Sequence, residues 1–302
     1  MAENSGLLDE IKELKRKRNA LIVAHNYQPP VVQDIADFCG DSLELARLSA
    51  KTDADVILFC GVDFMVEMAA ILVDGKTVLN PEPSATCPMA NMVTVDDVKE
   101  MQKENPNARV VCYVNSTVDV KSVSHICCTS GNAIKIFSAI KEPIIFVPDK
   151  FLGTYAASVT KRKDVILANG FCPTHMLIKT KDIEVARKKH PHAFVMVHPE
   201  CTPDVTSAAD AVLSTGGMVR AAKERAEKEF IVGTETGLLH RLQKENPRKR
   251  FYALNKNAVC PNMKKITLEK IHNALLNNCH KVSIPADMAK PAREALERML
   301  SY

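Results

Sequence analysis

The chain has 302 residues, 46% apolar and 25% charged, which is ordinary for a folded globular protein and excludes collagen-like, low-complexity and disordered classes. Forty basic residues against 36 acidic ones leave a net charge of +4, and runs such as Lys15–Arg18 read as solvated faces rather than a nucleic-acid groove. There is no Trp and aromatics make up 5%, which argues against base stacking, and no stretch approaches the ~20 apolar residues of a membrane span. With no signal-peptide pattern over Met1–Arg18, the expectation is a cytoplasmic protein that binds neither nucleic acid nor membrane. Its 10 cysteines then serve packing, metal binding or catalysis rather than a disulfide framework.

In chain order, Leu7, Ile11 and Leu14 first mark one face of a helix. The apolar, β-branched run Leu21–Ala24 follows and ends in His25-Asn26-Tyr27, the pattern of a parallel strand buried on both faces. Gly40-Asp41-Ser42 then opens a helix, and Asp41-x-x-Glu44 reads as a capping box that frees Ser42 to point elsewhere. A second strand ends at Val62-Asp63-Phe64, and a third leads into Cys87-Pro88. The order then recurs. Val110–Val114 ends in a cluster with Tyr113 and Asn115, Thr129-Ser130-Gly131 opens a helix, Pro148-Asp149 ends a strand, and Cys172-Pro173 follows. It recurs again through Phe194–Val197 with His198-Pro199-Glu200, Ser214-Thr215-Gly216, Thr234-Glu235-Thr236 and Cys260-Pro261.

The offsets agree. Ser42 to Ser130 is 88 and Ser130 to Thr215 is 85; Asp63, Asp149 and Glu235 are 86 apart; Cys87 to Cys172 is 85 and Cys172 to Cys260 is 88. A fold-level repeat of strand, helix, strand, helix, strand and loop follows. The expected architecture is α/β: three αβα units with parallel sheets, each short enough to need the other two to bury its faces. The boundaries are residues 1–88 plus 259–302, 89–172, and 173–258. Leu268, Ile271 and Leu275 form a helix face that returns to the first domain, and Lys290-Pro291-Ala292 starts a last helix with Leu296, Met299 and Leu300 inward.

Functional groups of parallel sheets gather at the strands' carboxyl ends, so three such units facing one another share one cavity. The chain has no Cys-x-x-Cys, but Cys87, Cys172 and Cys260 are a symmetric trio suited to three irons of a [4Fe–4S] cluster. The fourth iron would be open to act as a Lewis acid. A three-cysteine zinc lyase or hydrolase, or a non-enzymatic iron–sulfur sensor, remain open alternatives at this point. Cys39, Cys60, Cys112, Cys127, Cys128 and Cys279 read as packing, and Cys201 as a neighbour of the site. His198 and Glu200 flank a proline and point the same way, as suits proton transfer or carboxylate binding; His25 with Tyr27, and Tyr113 with Asn115, repeat the spacing. His175 stands two residues after the second Cys-Pro as a further substrate group, while His190, His192, His240, His272 and His280 read as structural. Ser42, Ser130 and Thr215 stand at helix mouths, where free N–H groups bind anions, unless they simply cap those helices. No Walker or Rossmann glycine pattern is present, so nucleotide binding is not indicated.

The strings Ala24-His25-Asn26-Tyr27-Gln28, Gly40-Asp41-Ser42-Leu43, Ala85-Thr86-Cys87-Pro88-Met89, Tyr113-Val114-Asn115-Ser116-Thr117, His198-Pro199-Glu200-Cys201 and Ser214-Thr215-Gly216 resemble the quinolinate synthase family, from about residue 7 to 300. The resemblance implies three pseudo-threefold-related αβα domains in a triangle around a central [4Fe–4S] cluster on Cys87, Cys172 and Cys260, and condensation of iminoaspartate with dihydroxyacetone phosphate in de novo NAD synthesis. It implies substrate or product contacts from His25, Ser42, Tyr113, Asn115, Ser130, His198, Glu200 and Thr215, and proton transfers by Tyr27 and Glu200. An iminoaspartate-producing enzyme is the candidate protein partner. Longer relatives carry further cysteines beside the last ligand that form a disulfide switch; Cys260 stands alone, so no such switch is expected. Gly131 replaces an alanine common among relatives, and a small effect is expected there.

Overall fold

The computed structural model describes residues 2–73 and 75–302. Three units with one element order follow each other. The first holds α1 (Ala2–Lys17), β1 (Ala20–His25), α2 (Pro30–Ile35), β2 (Phe38–Gly40), α3 (Ser42–Lys51), β3 (Val56–Cys60), α4 (Asp63–Leu72) and β4 (Thr77–Leu79). The second holds α5 (Val95–Glu104), β5 (Arg109–Tyr113), α6 (Val118–Ser122), β6 (Ile126–Cys128), α7 (Ala133–Ala139), β7 (Ile144–Val147), α8 (Lys150–Thr160) and β8 (Val165–Leu167). The third holds α9 (Thr180–Lys189), β9 (Phe194–Val197), α10 (Pro203–Ala208), β10 (Ala211–Val212), α11 (Thr215–Glu224), β11 (Glu229–Gly233), α12 (Leu238–Glu245) and β12 (Arg250–Ala253). The helices α13 (Leu268–Asn277) and α14 (Ala286–Leu300) follow.

Each unit contains one four-stranded sheet, in the orders β2-β1-β3-β4, β6-β5-β7-β8 and β10-β9-β11-β12, with every pairing parallel. The expected α/β architecture of three parallel-sheet units is therefore present. Each unit has one strand more than the sequence reading allowed, the edge strands β2, β6 and β10, which are only 3, 3 and 2 residues long and follow the added helices α2, α6 and α10; α5 and α9, which lead into the second and third units, are further additions. In every sheet the order reverses between the first and third strands, whose carboxyl ends form a crevice.

The inner strands bury both faces. Along β1, Val23 joins one core while Ile22 and Ala24 join another, and along β3 Ile57 and Phe59 alternate with Val56, Leu58 and Cys60. The first of these cores runs without a break from β1 and β3 through β5, β6 and β7 to Leu296 and Met299 of α14. The second packs Ile11 of α1 against Leu268, Ile271 and Leu275 of α13, as the helix faces predicted. The third unit has separate cores on its two faces, with Val195, Val197 and Ile231 on one side and Met196, Phe230 and Val232 on the other.

The last helix starts at Ala286, so Pro291 lies inside it and not at its start. Its first turn is exposed, so the carbonyl that loses an N–H partner to the proline faces solvent, where the loss is tolerated. Leu296 and Met299 are fully buried, and α14 lies against α4, α6 and β6, bridging the first two units. No described helix is long and apolar enough to cross a membrane.

Candidate active site

The carboxyl ends of the three sheets converge on one cavity of about 150 Å³, and every site residue named from the sequence lines it. His25 ends β1, Tyr113 ends β5, and His198 and Glu200 follow β9 directly, so the strand ends supply the acids, bases and phenols. The structural histidines stand apart: His190 stacks on Tyr252, His240 pairs with Asp34 and His272 with Glu10.

Three helix mouths meet at this cavity. The cap of α3 is Asp41, in the expected capping box with Glu44; Ser214 caps α11; α7 starts after Asn132. Ser42, Ser130 and Thr215 are therefore not caps, and their hydroxyls serve the cavity. The mouths nearly touch. A Cβ on Gly216 would lie 2.4 Å from Asp41 Oδ2, whereas one on Gly131 would meet nothing nearer than 3.5 Å. Gly216→Ala is thus expected to shift the urea midpoint down by an amount equivalent to roughly 1–3 kcal/mol. Gly131→Ala should leave it within about 0.5 kcal/mol. Equal midpoints for the two variants would contradict the close approach of α3 and α11.

Glu200 is 3% exposed and sits at the centre of the polar network. Its Oε1 accepts from Tyr113 Oη at 2.6 Å and its Oε2 faces His175 Nδ1 at 2.8 Å. Burial pushes its pKa up, but the facing imidazoles, His175 foremost, and the bonds from His175 and Tyr113 outweigh that and hold it below the usual carboxylate range. An ionised Glu200 accepts from His175 Nδ1, and His175 Nε2 lies 2.9 Å from Thr234 Oγ1. Thr234 Oγ1 lies 2.6 Å from Tyr27 Oη. A chain of Tyr27, Thr234, His175 and Glu200 results, with the logic of a hydrolase triad. Burial, then the negative Glu200, raises the pKa of the Tyr27 phenol, so it stays protonated.

His25 and His198 share one device. The Nδ1 of each accepts a backbone N–H two residues ahead, from Tyr27 at 3.2 Å and from Glu200 at 3.3 Å. Burial lowers both pKa values to about 3, so each ring is neutral with its proton on Nε2, a fixed donor. His198 spends that proton on Ser130 Oγ at 3.1 Å. The Oδ1 of Asn115 is buried in the cavity wall without a partner, as expected of a group that awaits a ligand.

Thr234 was not legible from the sequence, because a threonine at the end of a β-branched strand looks like strand filling. Its one signal was its place beside Glu235, at the strand end that recurs at Asp63 and Asp149. The acids at these ends have local work. Asp63 Oδ1 accepts from the Cys87 amide at 3.2 Å, and Glu235 Oε1 from the Cys260 amide at 3.1 Å.

The cysteine loops fit a metal cluster. Each is followed by a 3₁₀ turn whose N–H groups face the sulfur: Met89 and Ala90 toward Cys87, His175 toward Cys172, Asn262 and Met263 toward Cys260. Such N–H groups stabilise a ligating thiolate. Without a cation, burial pushes the thiols up, Cys87 to about 12, and metal binding would take off those protons. Among the described residues, Cys172, His175 and Glu200 form a set with ligand atoms all within 4.8 Å of one another. All 10 cysteines are unpaired.

The family model described as Quinolinate synthetase A protein matches residues 9–301. A protein of Thermodesulfovibrio yellowstonii named quinolinate synthase is 54% identical over 295 residues, 97% of each chain. One of Methanoregula boonei with the same name is 50% identical over 302 residues and the full length of both. A third, from Methanosarcina barkeri, is 49% identical over 300 residues, covering 99% of this chain and 98% of that one.

Proposed function

The chain belongs to the quinolinate synthetase A family of enzymes, and from that premise we propose that it condenses iminoaspartate with dihydroxyacetone phosphate to give quinolinate, phosphate and two waters. One observation carries the reading: a proton chain, three converging helix mouths and three cysteine loops line the same cavity. Carbon, nitrogen and oxygen balance in this reaction with no net oxidation, so what the site must do is bind two carboxylates, move protons and help water leave.

Cys87, Cys172 and Cys260 would hold a [4Fe–4S] cluster, which when bound supplies a Lewis-acidic iron for the departure of hydroxyl. The N–H groups at the mouths of α3, α7 and α11, with Ser42, Ser130 and Thr215, bind the carboxylates. His25, held as an Nε2–H donor, orients them directly and His198 does so through Ser130, and Asn115 Oδ1 accepts from the imine nitrogen or a hydroxyl. Tyr27 exchanges its phenolic proton with the substrate at one end of the chain through Thr234 and His175. Glu200, ionised in the resting site between Tyr113 and His175, is the base for the proton released as the ring closes.

No observation favours the zinc or the sensor reading, and relatives named as enzymes speak against a sensor. The test begins with iron and acid-labile sulfide in protein prepared without oxygen, where about four of each per chain are expected. Supplying iminoaspartate and dihydroxyacetone phosphate should then yield quinolinate. Zinc without sulfide, or a fully loaded protein that forms no quinolinate, would refute the reading.

A further inference from the structure

The three hydroxyls at the helix mouths are wired differently. Ser130 Oγ receives the Nε2 proton of His198 from the third unit. Thr215 Oγ1 receives Asn26 Nδ2 from the first unit, at 2.9 Å. The residues equivalent to Asn26 in the other copies are Val114 and Pro199, neither of which carries a side-chain donor.

Asn26 is fully buried, and its amide can face only one way. Its Oδ1 accepts from Arg241 Nη1 at 2.8 Å and lies 3.6 Å from the Cys39 thiol. A guanidinium has donors only and keeps its charge at any working pH. Turning the amide over would set NH₂ against the guanidinium and carbonyl against Thr215. Arg241 is itself held by Glu245 at 2.7 Å and faces Glu44 at 3.7 Å. Glu44 in turn accepts from the Asp41 amide in the capping box of α3. One arginine of the third unit thereby braces both the α3 mouth and the hydroxyl at the α11 mouth.

We propose that Arg241 and Asn26 are positioning residues that fix the polarity of Thr215. With its oxygen already accepting from Asn26, the single hydroxyl proton of Thr215 is directed into the cavity, where a ligand carboxylate accepts it. The positive charge at the start of the row polarises each bond along it toward that anion. This rests on the reading above that Thr215 touches a carboxylate.

The test is a double-mutant cycle on quinolinate binding to the cluster-loaded protein, followed by calorimetry. Thr215→Val should weaken binding about 10-fold, the scale of one hydrogen bond to a charged group. Arg241→Gln should weaken it about fivefold with threonine at 215 and by less than about twofold with valine there. Its kinetic effect should fall on KM for iminoaspartate, with kcat preserved. The near-isosteric Asn26→Asp, which would turn the Thr215 proton away from the ligand, should likewise cost more with threonine than with valine. Equal losses in both backgrounds would overturn the relay and leave Arg241 as a brace between units. No loss from Thr215→Val alone would instead remove the Thr215–carboxylate contact on which the relay stands.

Discussion

Glu200→Gln is expected to reduce kcat by about 10³-fold or more while iron, sulfide and the visible spectrum of the protein stay unchanged. The carboxylate is buried and accepts at both oxygens, from Tyr113 at 2.6 Å and from His175 at 2.8 Å. A glutamine keeps the shape but has one acceptor, and its NH₂ would confront either the phenol or the imidazole N–H. The imidazole would then lose the partner that orients Nδ1, and with it the alignment of Nε2 on Thr234. Loss of the Glu200 base and misdirection of the Tyr27 chain therefore arrive together. Steady-state rates beside metal analysis decide the matter. A variant that loses its iron would assign Glu200 to cluster retention, and one that keeps most of its rate would remove it from the chemistry.

Stability should fall steeply as the pH drops below about 6.5, and His25 and His198 should carry much of the slope. Both are buried as neutral rings with pKa values lowered to about 3, against about 6.5 in an unfolded chain. Between those values the unfolded state binds more protons, so stability rises with pH there, is complete above about 6.5, and is lost toward 3. The slope amounts to roughly 1.4 kcal/mol per pH unit for each ring. Asp149 works the other way, because burial raises its carboxyl and its ionisation opposes folding as pH rises. Comparing variants removes that contribution. The urea midpoints of His25→Gln and His198→Gln, followed from pH 7 to pH 5 at matched cluster content, should decline less steeply than those of the wild type. Parallel declines would mean that neither ring is held neutral.

The repeat, the parallel sheets and the common cavity were legible because strand ends leave chemistry in the sequence: histidine, tyrosine, glutamate and Cys-Pro at one spacing. The edge strands were not. Phe38–Gly40 and Ala211–Val212 are too short to show a period of two, and they form because the neighbouring strand offers a free ladder. Pro291 misled because proline is common at helix starts, and an exposed first turn lets a helix begin before it. Thr234 and Arg241 escaped notice because they meet the site through other side chains. Nothing in a linear string distinguishes a threonine bonded to a tyrosine and a histidine from one that fills a strand, or an arginine on a helix face from one bonded to a buried amide.

The core shared by the first two units has a bearing on how the chain is made. Its cover, α14, lies downstream of the whole third unit, which has cores of its own. During synthesis at ~5–20 residues per second, the apolar face over α6 and β6 waits several seconds for that cover, while the third unit can already close upon itself. A slow codon anywhere between β6 and α14, within the third unit as much as after it, would prolong that exposure by the full length of the pause.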